Sequence, residues 1–336
     1  MADLKLHLSS SPHFSKGLTT QKIMAAVLVA LLPECIAGVI YFGLDALLVI
    51  LFSILGAVFF EAAFQKITGQ KVVVSNLSAA VTGVMLALVL PSTTPLWMVL
   101  IGDLVAVVIA KGLFGGIGSN TFNPALTGRA ALFISFPAAI GASWFDPWEL
   151  KDYLSKLDSV SSATFDGISS ATILSQVKAG TFTADAGTYL QLFLGQRAGC
   201  IGETSILLIL ISFIFLFASK VIDFRASVSM VGTVVIATFV SALAGGKGLC
   251  GAGSEVLLAL LTGGLLFGAT FMVTDYATAP VTKPGRWIFG FGCGLITFLI
   301  RRFGGYPEGV MFSILIMNAV APHLNNLTVR MYGYKK

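Results

Sequence analysis

The chain has 336 residues, of which 56% are apolar and only 11% charged, with a formal net charge of +5. Soluble globular chains carry about a quarter of their residues as Asp, Glu, Lys and Arg, so this chain has too few to clothe a water-facing surface. An ordinary soluble enzyme is excluded, and lipid is the natural solvent, where each helical span needs about 20 apolar residues.

In chain order, residues 1–22 are polar and carry Lys5, Lys16 and Lys22. No short apolar run there leads to a small-residue cleavage site, so no cleaved signal peptide is expected. Apolar runs follow at about 23–43 (broken by Pro33 and Glu34), 45–64, 78–91 (ending at Pro91), 96–114 (carrying Asp103) and 124–141. A polar stretch, 142–198, separates these from five further runs at about 200–218, 226–244, 254–273, 286–300 and 306–322. The tail 326–336 ends in Lys335 and Lys336. The expected fold class is an all-α integral membrane protein of about ten transmembrane helices.

Basic residues orient the spans, because cytoplasmic loops are enriched in Lys and Arg. With the N-terminus inside, Lys5, Lys16, Lys22, Lys66, Lys71, Lys111, Lys220, Arg225, Lys283, Arg286, Arg330, Lys335 and Lys336 fall inside. Lys151, Lys156, Lys178, Arg197, Lys247, Arg301 and Arg302 fall outside, the first four in the long 142–198 loop where the rule is weak. Both termini are therefore expected inside. Residues 142–198 are expected outside, made acidic by Asp146, Glu149, Asp152, Asp158, Asp166 and Asp185. Arg301-Arg302 dissents from this assignment.

The chain repeats itself. Thr82-Gly83, Pro95 and Leu113-Phe114-Gly115-Gly116 recur as Thr262-Gly263, Pro280 and Arg302-Phe303-Gly304-Gly305, about 180–190 residues later. Each half holds an odd number of spans, so the second copy would be inverted. Inverted repeats with broken helices are a transporter-like architecture, with sites near the repeat interface. The expected organisation is a cytoplasmic segment 1–22, a first five-helix repeat 23–141, an extracytoplasmic loop 142–198, a second repeat 199–325 and a cytoplasmic tail 326–336. Chance recurrence of Thr-Gly and Phe-Gly-Gly in a Gly-rich membrane chain is the alternative.

Familiar catalytic chemistry finds no support. Cys35, Cys200, Cys250 and Cys293 show no Cys-x-x-Cys spacing, so no iron–sulfur or zinc site is legible, and they read as small apolar filler. His7, His13 and His323 are scattered. No nucleophile–base set and no phosphate-cradling glycine loop can be read.

The informative segment is Asp166-Gly167-Ile168-Ser169-Ser170-Ala171-Thr172-Ile173-Leu174. It resembles the Asp-x-x-Ser-(Gly/Ser/Thr)-Ala-Thr motif of proteins that carry covalent FMN. In that family a flavin transferase joins the phosphate of FMN to the last Thr as a phosphodiester. The acceptor must be a reachable hydroxyl among small neighbours, which Thr172 behind Ser169, Ser170 and Ala171 satisfies; Ser170 stands where Gly is more usual. Asp158-Ser159-Val160-Ser161-Ser162-Ala163-Thr164 fits the bare pattern too. The Asp-Gly opening and the Ile173-Leu174 continuation favour Thr172, with Thr164 as the alternative and a plain Ser/Thr-rich surface loop as the bland one.

Blocks along residues 10–325 resemble the membrane subunits of Rnf electron-transport complexes and the related B subunit of the sodium-pumping NADH:quinone reductase. They are Ser75-Asn76-Leu77-Ser78, Asn120-Thr121-Phe122-Asn123-Pro124-Ala125 with Gly128-Arg129, Gly199-Cys200-Ile201-Gly202-Glu203-Thr204-Ser205, Phe271-Met272-Val273-Thr274-Asp275, Pro307-Glu308-Gly309, and Met317-Asn318 through Pro322. Their order is that of the family, and the short N-terminus favours the RnfD type over its longer Nqr relative. The resemblance implies an electron relay in a bacterial or archaeal cell membrane, between ferredoxin and NAD, coupled to Na⁺ or H⁺ movement. It implies FMN on Thr172, on the extracytoplasmic side. It further implies partners: the flavin-bearing G subunit, the A and E membrane subunits, the NADH-binding C subunit and the iron–sulfur B subunit, with a flavin transferase for maturation. NAD and iron–sulfur sites would belong to those partners.

A second, non-covalent flavin, riboflavin, is implied in the same way, and Asn120 and Asn123 are its candidate contacts. Their amides offer donors and acceptors to the pyrimidine edge of the ring. Asn123-Pro124 equally reads as a helix cap followed by Pro at the first helical position. Intramembrane acids are functional candidates because charge in lipid is costly. Asp103, Glu203, Asp275 and Glu308, with Thr278 and Asn318, are candidates for an ion path, since Na⁺ prefers oxygen ligands. The alternative is that they pair with Arg129, Lys111 or Arg286 and only hold helices together. Two rivals remain for the whole chain: a secondary transporter or channel, and a flavin-free scaffold for redox partners.

Overall fold

The computed structural model describes residues 19–141, 173–179, 186–306 and 308–328, and among these every regular element is helical. Two long apolar helices open it: α1 (Thr20–Phe42) and α2 (Leu44–Ile67). Gly43, at φ +74°, turns the chain between them. Three shorter helices follow: α3 (Ser78–Leu88), α4 (Leu96–Leu104), which runs on as a π-helical segment Val105–Gly112, and α5 (Pro124–Ser135) with its short continuation α6 (Pro137–Gly141). The cap foreseen at Asn123 is present: its side chain accepts from Leu126 N, with Pro124 opening the helix.

Within the long polar stretch lie α7 (Ile173–Ala179) and α8 (Ala186–Leu194), followed by a 3₁₀ turn, Ile201–Glu203. The second half holds α9 (Ile206–Ala218), α10 (Phe224–Ala244), α11 (Leu249–Leu261), α12 (Leu265–Phe267, continuing as a π-helical segment Gly268–Met272), α13 (Lys283–Phe303) and α14 (Val310–Thr328). Asp223 and Thr282 cap α10 and α13 through Arg225 N and Gly285 N.

Among the described residues four helices, α1, α2, α10 and α14, are long and apolar enough to cross a bilayer. The bent pair α11–α12, which turns through 62°, would make a fifth span. Large apolar side chains such as Leu55, Phe59, Ile214 and Ile236 are 64–66% exposed, which lipid tolerates and water would not. The chain is a multi-pass, all-helical membrane protein.

Helices approach closely because small residues line their seams. Gly290 and Gly294 on α13 face Ala226 O and Met230 O on α10, so near that no side chain fits between. In the first half, a Cβ at Gly83 of α3 would lie 2.6 Å from Ser53 O on α2. The interior between these seams is filled by residues such as Leu31, Leu86, Leu88, Leu126, Phe267 and Phe289, all fully buried.

Candidate functional site

The two halves meet at an ionic cluster built around the break between α11 and α12. Arg129, on α5, donates from Nη2 to Glu308 Oε2 at 3.1 Å and lies 3.7 Å from Glu203 Oε1. Its Nη2 is also 3.4 Å from Cys200 Sγ. All of these side chains are buried or nearly so. Carbonyls at the end of α11 and just beyond lose their helical partners at the break, and arginines replace them. Arg197 donates to Leu261 O and Gly263 O as well as to Glu203 O, and Arg301 donates to Ala259 O and Thr262 O. On the other side of the break, Gly264 N donates to Glu308 Oε1 at 2.7 Å. The charges obey the helix dipole: cations sit at the C-terminus of α11 and a carboxylate at the N-terminus of α12. Gly263, at φ +70°, makes the bend, and a Cβ on Gly264 would collide with Glu203 and Glu308.

This arrangement accounts for Arg301 of the dissenting pair, whereas Arg302 is exposed. Arg301 caps a broken helix through its carbonyls and carries no weight in a loop-charge count. Arg197, assigned by sequence to an outer loop, is buried.

A second cluster lies between α2, α3 and the π-helical end of α4. Lys111 Nζ is 2.7 Å from Glu61 Oε2 and 2.7 Å from Ser78 Oγ. Gln65 donates to Glu61 Oε1 and accepts from Val73 N. Asp103 stands apart from it. Ser53 Oγ lies 2.8 Å from both Gly83 O and Asp103 Oδ1, and its single proton can serve only one of these acceptors. Asp103 Oδ2 and both carboxyl oxygens of the buried Glu34 have no hydrogen-bond partner among the described residues.

The remaining candidates gather at a cavity of about 350 Å³ between α1, α3, the start of α5 and residues 271–277. Asn120, Asn123 and Asp275 line it together with Ser78, Thr82 and Lys111. Asn120 donates to Phe122 O, leaving its amide oxygen for other use, and Asn123 spends its oxygen on the α5 cap, leaving its NH₂. With the amide of Asn318 turned so that its donors and acceptors match, Asn318 accepts from Asn123 N and donates to Ile314 O. It therefore supports the Asn123 turn from behind. Asp275 closes a turn of its own, accepting from Ala277 N and Thr278 Oγ1.

The structure thus sorts the acids. Glu203 and Glu308 pair with Arg129, and Arg286 pairs instead with Asp223, 2.6 Å away. Asp103 and Asp275 have no ion-pair partner among the described residues. No three His, Cys, Asp or Glu side chains converge on a metal-sized site among the described residues. Asp166, Ser169, Ser170, Ala171 and Thr172, and the alternative Thr164, lie outside the described residues. The adjoining helix α7 begins at Ile173, and its Leu174 packs at the bend, where a Cβ on Gly263 would be 3.1 Å from Leu174 Cδ2. Sequence reasoning missed Glu34, Glu61, Arg197 and Ser53 as participants, although Glu34 and Glu61 were visible as charges in apolar runs.

Known proteins share this sequence along its whole length. The model of the NQR2, RnfD, RnfE family matches residues 7–333. The D subunit of the proton-translocating ferredoxin:NAD(+) oxidoreductase complex of Clostridium ljungdahlii is 41% identical, over 96% of this chain and 94% of its own. The D subunit of the Na(+)-translocating ferredoxin:NAD(+) oxidoreductase complex of Acetobacterium woodii is 37% identical, over 100% of this chain and 98% of its own. The corresponding D subunit of the ion-translocating oxidoreductase complex of Escherichia fergusonii is 32% identical, over 98% of this chain and 99% of its own. This chain belongs to the NQR2, RnfD, RnfE family.

Proposed function

We propose that this chain is the RnfD component of an ion-translocating ferredoxin:NAD⁺ oxidoreductase, a membrane translocase, and that it carries flavin. The full-length match to the corresponding components of such complexes is the observation that carries the reading. It works as one part of an assembly whose membrane partners are the A and E subunits, with the flavin-bearing G, NADH-binding C and iron–sulfur B subunits completing the electron path.

FMN is joined to Thr172 by a flavin transferase, on the extracytoplasmic side. Flavin supplies one- and two-electron redox chemistry; the tether keeps it from loss to the outer compartment. Riboflavin occupies the cavity at Asn120 and Asn123. Its volume suits a flavin ring system, since small-molecule sites run to about 300–1,000 Å³. The free amide NH₂ of Asn123 and the free carbonyl oxygen of Asn120 match an edge that presents both acceptors and a donor. Asp103, Asp275, Glu308 and Asn318 line the ion path. Asp103 and Asp275 are its carriers of exchangeable charge, because no cation among the described residues neutralises them. The spans form two inverted five-helix repeats with both termini cytoplasmic. The helix broken at Gly263-Gly264, with charged groups at both half-helix ends, is what such a transporter-like core uses to line a site.

In-gel flavin fluorescence after SDS denaturation tests the reading, with the protein co-expressed with a flavin transferase. Fluorescence in the wild type that disappears in Thr172→Ala is the expected result. Persistence in that variant moves the attachment to Thr164. A dark wild type leaves a transporter or a flavin-free scaffold.

A further inference from the structure

A second cavity, of about 700 Å³, opens where the end of α9 and the starts of α10 and α13 come together. Its charged lining is Lys220, Arg225 and Arg286 against Asp223 and Asp275. Asp275 is turned into its own loop. Asp223 is shared: its Oδ2 lies 2.5 Å from Arg225 Nη1 and 2.6 Å from Arg286 Nη1. One carboxylate thus fixes two guanidinium groups side by side, and Lys220 makes no salt bridge among the described residues. Two helix N-termini, capped by Asp223 and Thr282, open at the same place and add their positive ends.

The backbone at Lys220 is informative. Val221 N donates to Leu216 O and Lys220 N to Phe217 O, the paired closure of a helix end that normally carries Gly at the left-handed position. Lys220 occupies that position at φ +55°. A long basic side chain held where Gly would be less strained points to a use for the side chain itself.

The rim around these charges is apolar and aromatic. Phe217 meets Phe224 edge-on, Phe224 meets Trp287 edge-on, and Arg225 lies over the Phe224 ring at 5.2 Å. Phe217, Trp287 and Val281 are exposed. Beyond the rim, α10 and α13 continue with exposed Val228, Ile288 and Phe291, an acyl-chain surface. A water-soluble anion would use the charges and leave this surface idle.

We propose that this groove binds one anionic phospholipid, its phosphate held by Lys220, Arg225 and Arg286 and its acyl chains laid over Phe217, Phe224 and Trp287. Basic pockets between membrane helices at the headgroup level recognise such lipids. Lys220 is the residue free to move onto the phosphate, and the two arginines are set in place by Asp223.

The test uses the assembled, detergent-purified and delipidated complex, titrated with dioctanoyl phosphatidylglycerol or dioctanoyl phosphatidylcholine and read by native mass spectrometry. The wild type takes up one phosphatidylglycerol in preference to phosphatidylcholine. Lys220→Gln weakens that binding about fivefold, the worth of one basic residue at an anionic headgroup. Lys247→Gln, a charge removed far along the chain beside Glu255, leaves it unchanged. Equal uptake of both lipids, an unaltered affinity in Lys220→Gln, or displacement by millimolar inorganic phosphate overturns the proposal. So does loss of a peripheral subunit from the Lys220→Gln complex with lipid uptake intact, which would make the groove a protein-docking site.

Discussion

Arg129 sits among two carboxylates and a thiol, and among the described residues it alone forms salt bridges to Glu203 and Glu308. Replacing Arg129 breaks both of these buried ion pairs, at a cost of about 3–5 kcal/mol. Arg129→Met is therefore expected to lower the unfolding midpoint in detergent sharply, and adding Glu308→Gln should recover part of the loss; strict additivity would show that the two side chains do not interact. Asp223, in the loop before α10, behaves differently. Burial pushes its carboxyl up, but the Arg225 N–H and the guanidinium groups of Arg286 and Arg225 outweigh burial and hold it below the usual carboxylate range. A depressed value stabilises the fold above the unfolded pKa and loses that contribution as pH falls through the folded one. Asp223→Ala should thus cost about 1–2 kcal/mol near pH 7, from the lost cap and ion pairs, and the gap from wild type should close as pH drops below about 4. A gap that is constant with pH would remove the electrostatic part of this account. Polar letters inside apolar runs made Glu203, Glu308 and Asp103 legible as unusual. Arg129 was legible as the partner of Glu203 and Glu308, whereas Arg197 and Arg301 looked like loop charges until a helix break gave them carbonyls to satisfy.

The start of α5 was readable, since Asn123-Pro124 carries its cap locally. The break at Gly263-Gly264 was harder. The run 254–273, apolar apart from Ser254, Glu255, Thr262 and Thr270, reads as one span, while its 62° bend is held by Arg197, Arg301 and Glu308. The matching landmark Thr82-Gly83 lies inside α3, where Thr82 donates to Ser78 O and the helix continues. The same two letters therefore serve opposite purposes in the two halves: in one, Gly is there for close approach, and in the other for a left-handed bend. Substitution separates such uses. Gly83→Ala pushes a methyl group into the α2 backbone and is expected to cost about 1–3 kcal/mol. Gly232→Ala, in α10 with open space around it, should be neutral or stabilising by up to about 1 kcal/mol. Comparable midpoints for the two variants in thermal unfolding would refute tight α2–α3 packing.

Across the whole molecule, composition alone was enough to place the chain in lipid, because that inference needs no contacts. Its orientation in the bilayer rests on scattered basic residues, and the proposed topology makes it testable. Helices α9 and α10 join at Lys220–Asp223 and line one groove at that end, so on the proposed topology, in which both cross, their far ends share the opposite side. The polar stretch that holds α8 enters α9 at its start, and α10 leaves toward the Lys247 turn; α8 indeed packs against α11. On the proposed topology the start of α9 and the Lys247 turn then face the same compartment. Cys250, just beyond that turn, is exposed, whereas Cys200 and Cys293 are buried and Cys35 is partly so. In a chain with Cys35, Cys200 and Cys293 replaced by Ser, a membrane-impermeant maleimide should label Cys250 in intact spheroplasts. Labelling only after lysis would reverse the proposed orientation, putting the Lys247 turn and the start of α9 on the cytoplasmic side, since on that topology the same pair of helices holds both to one side.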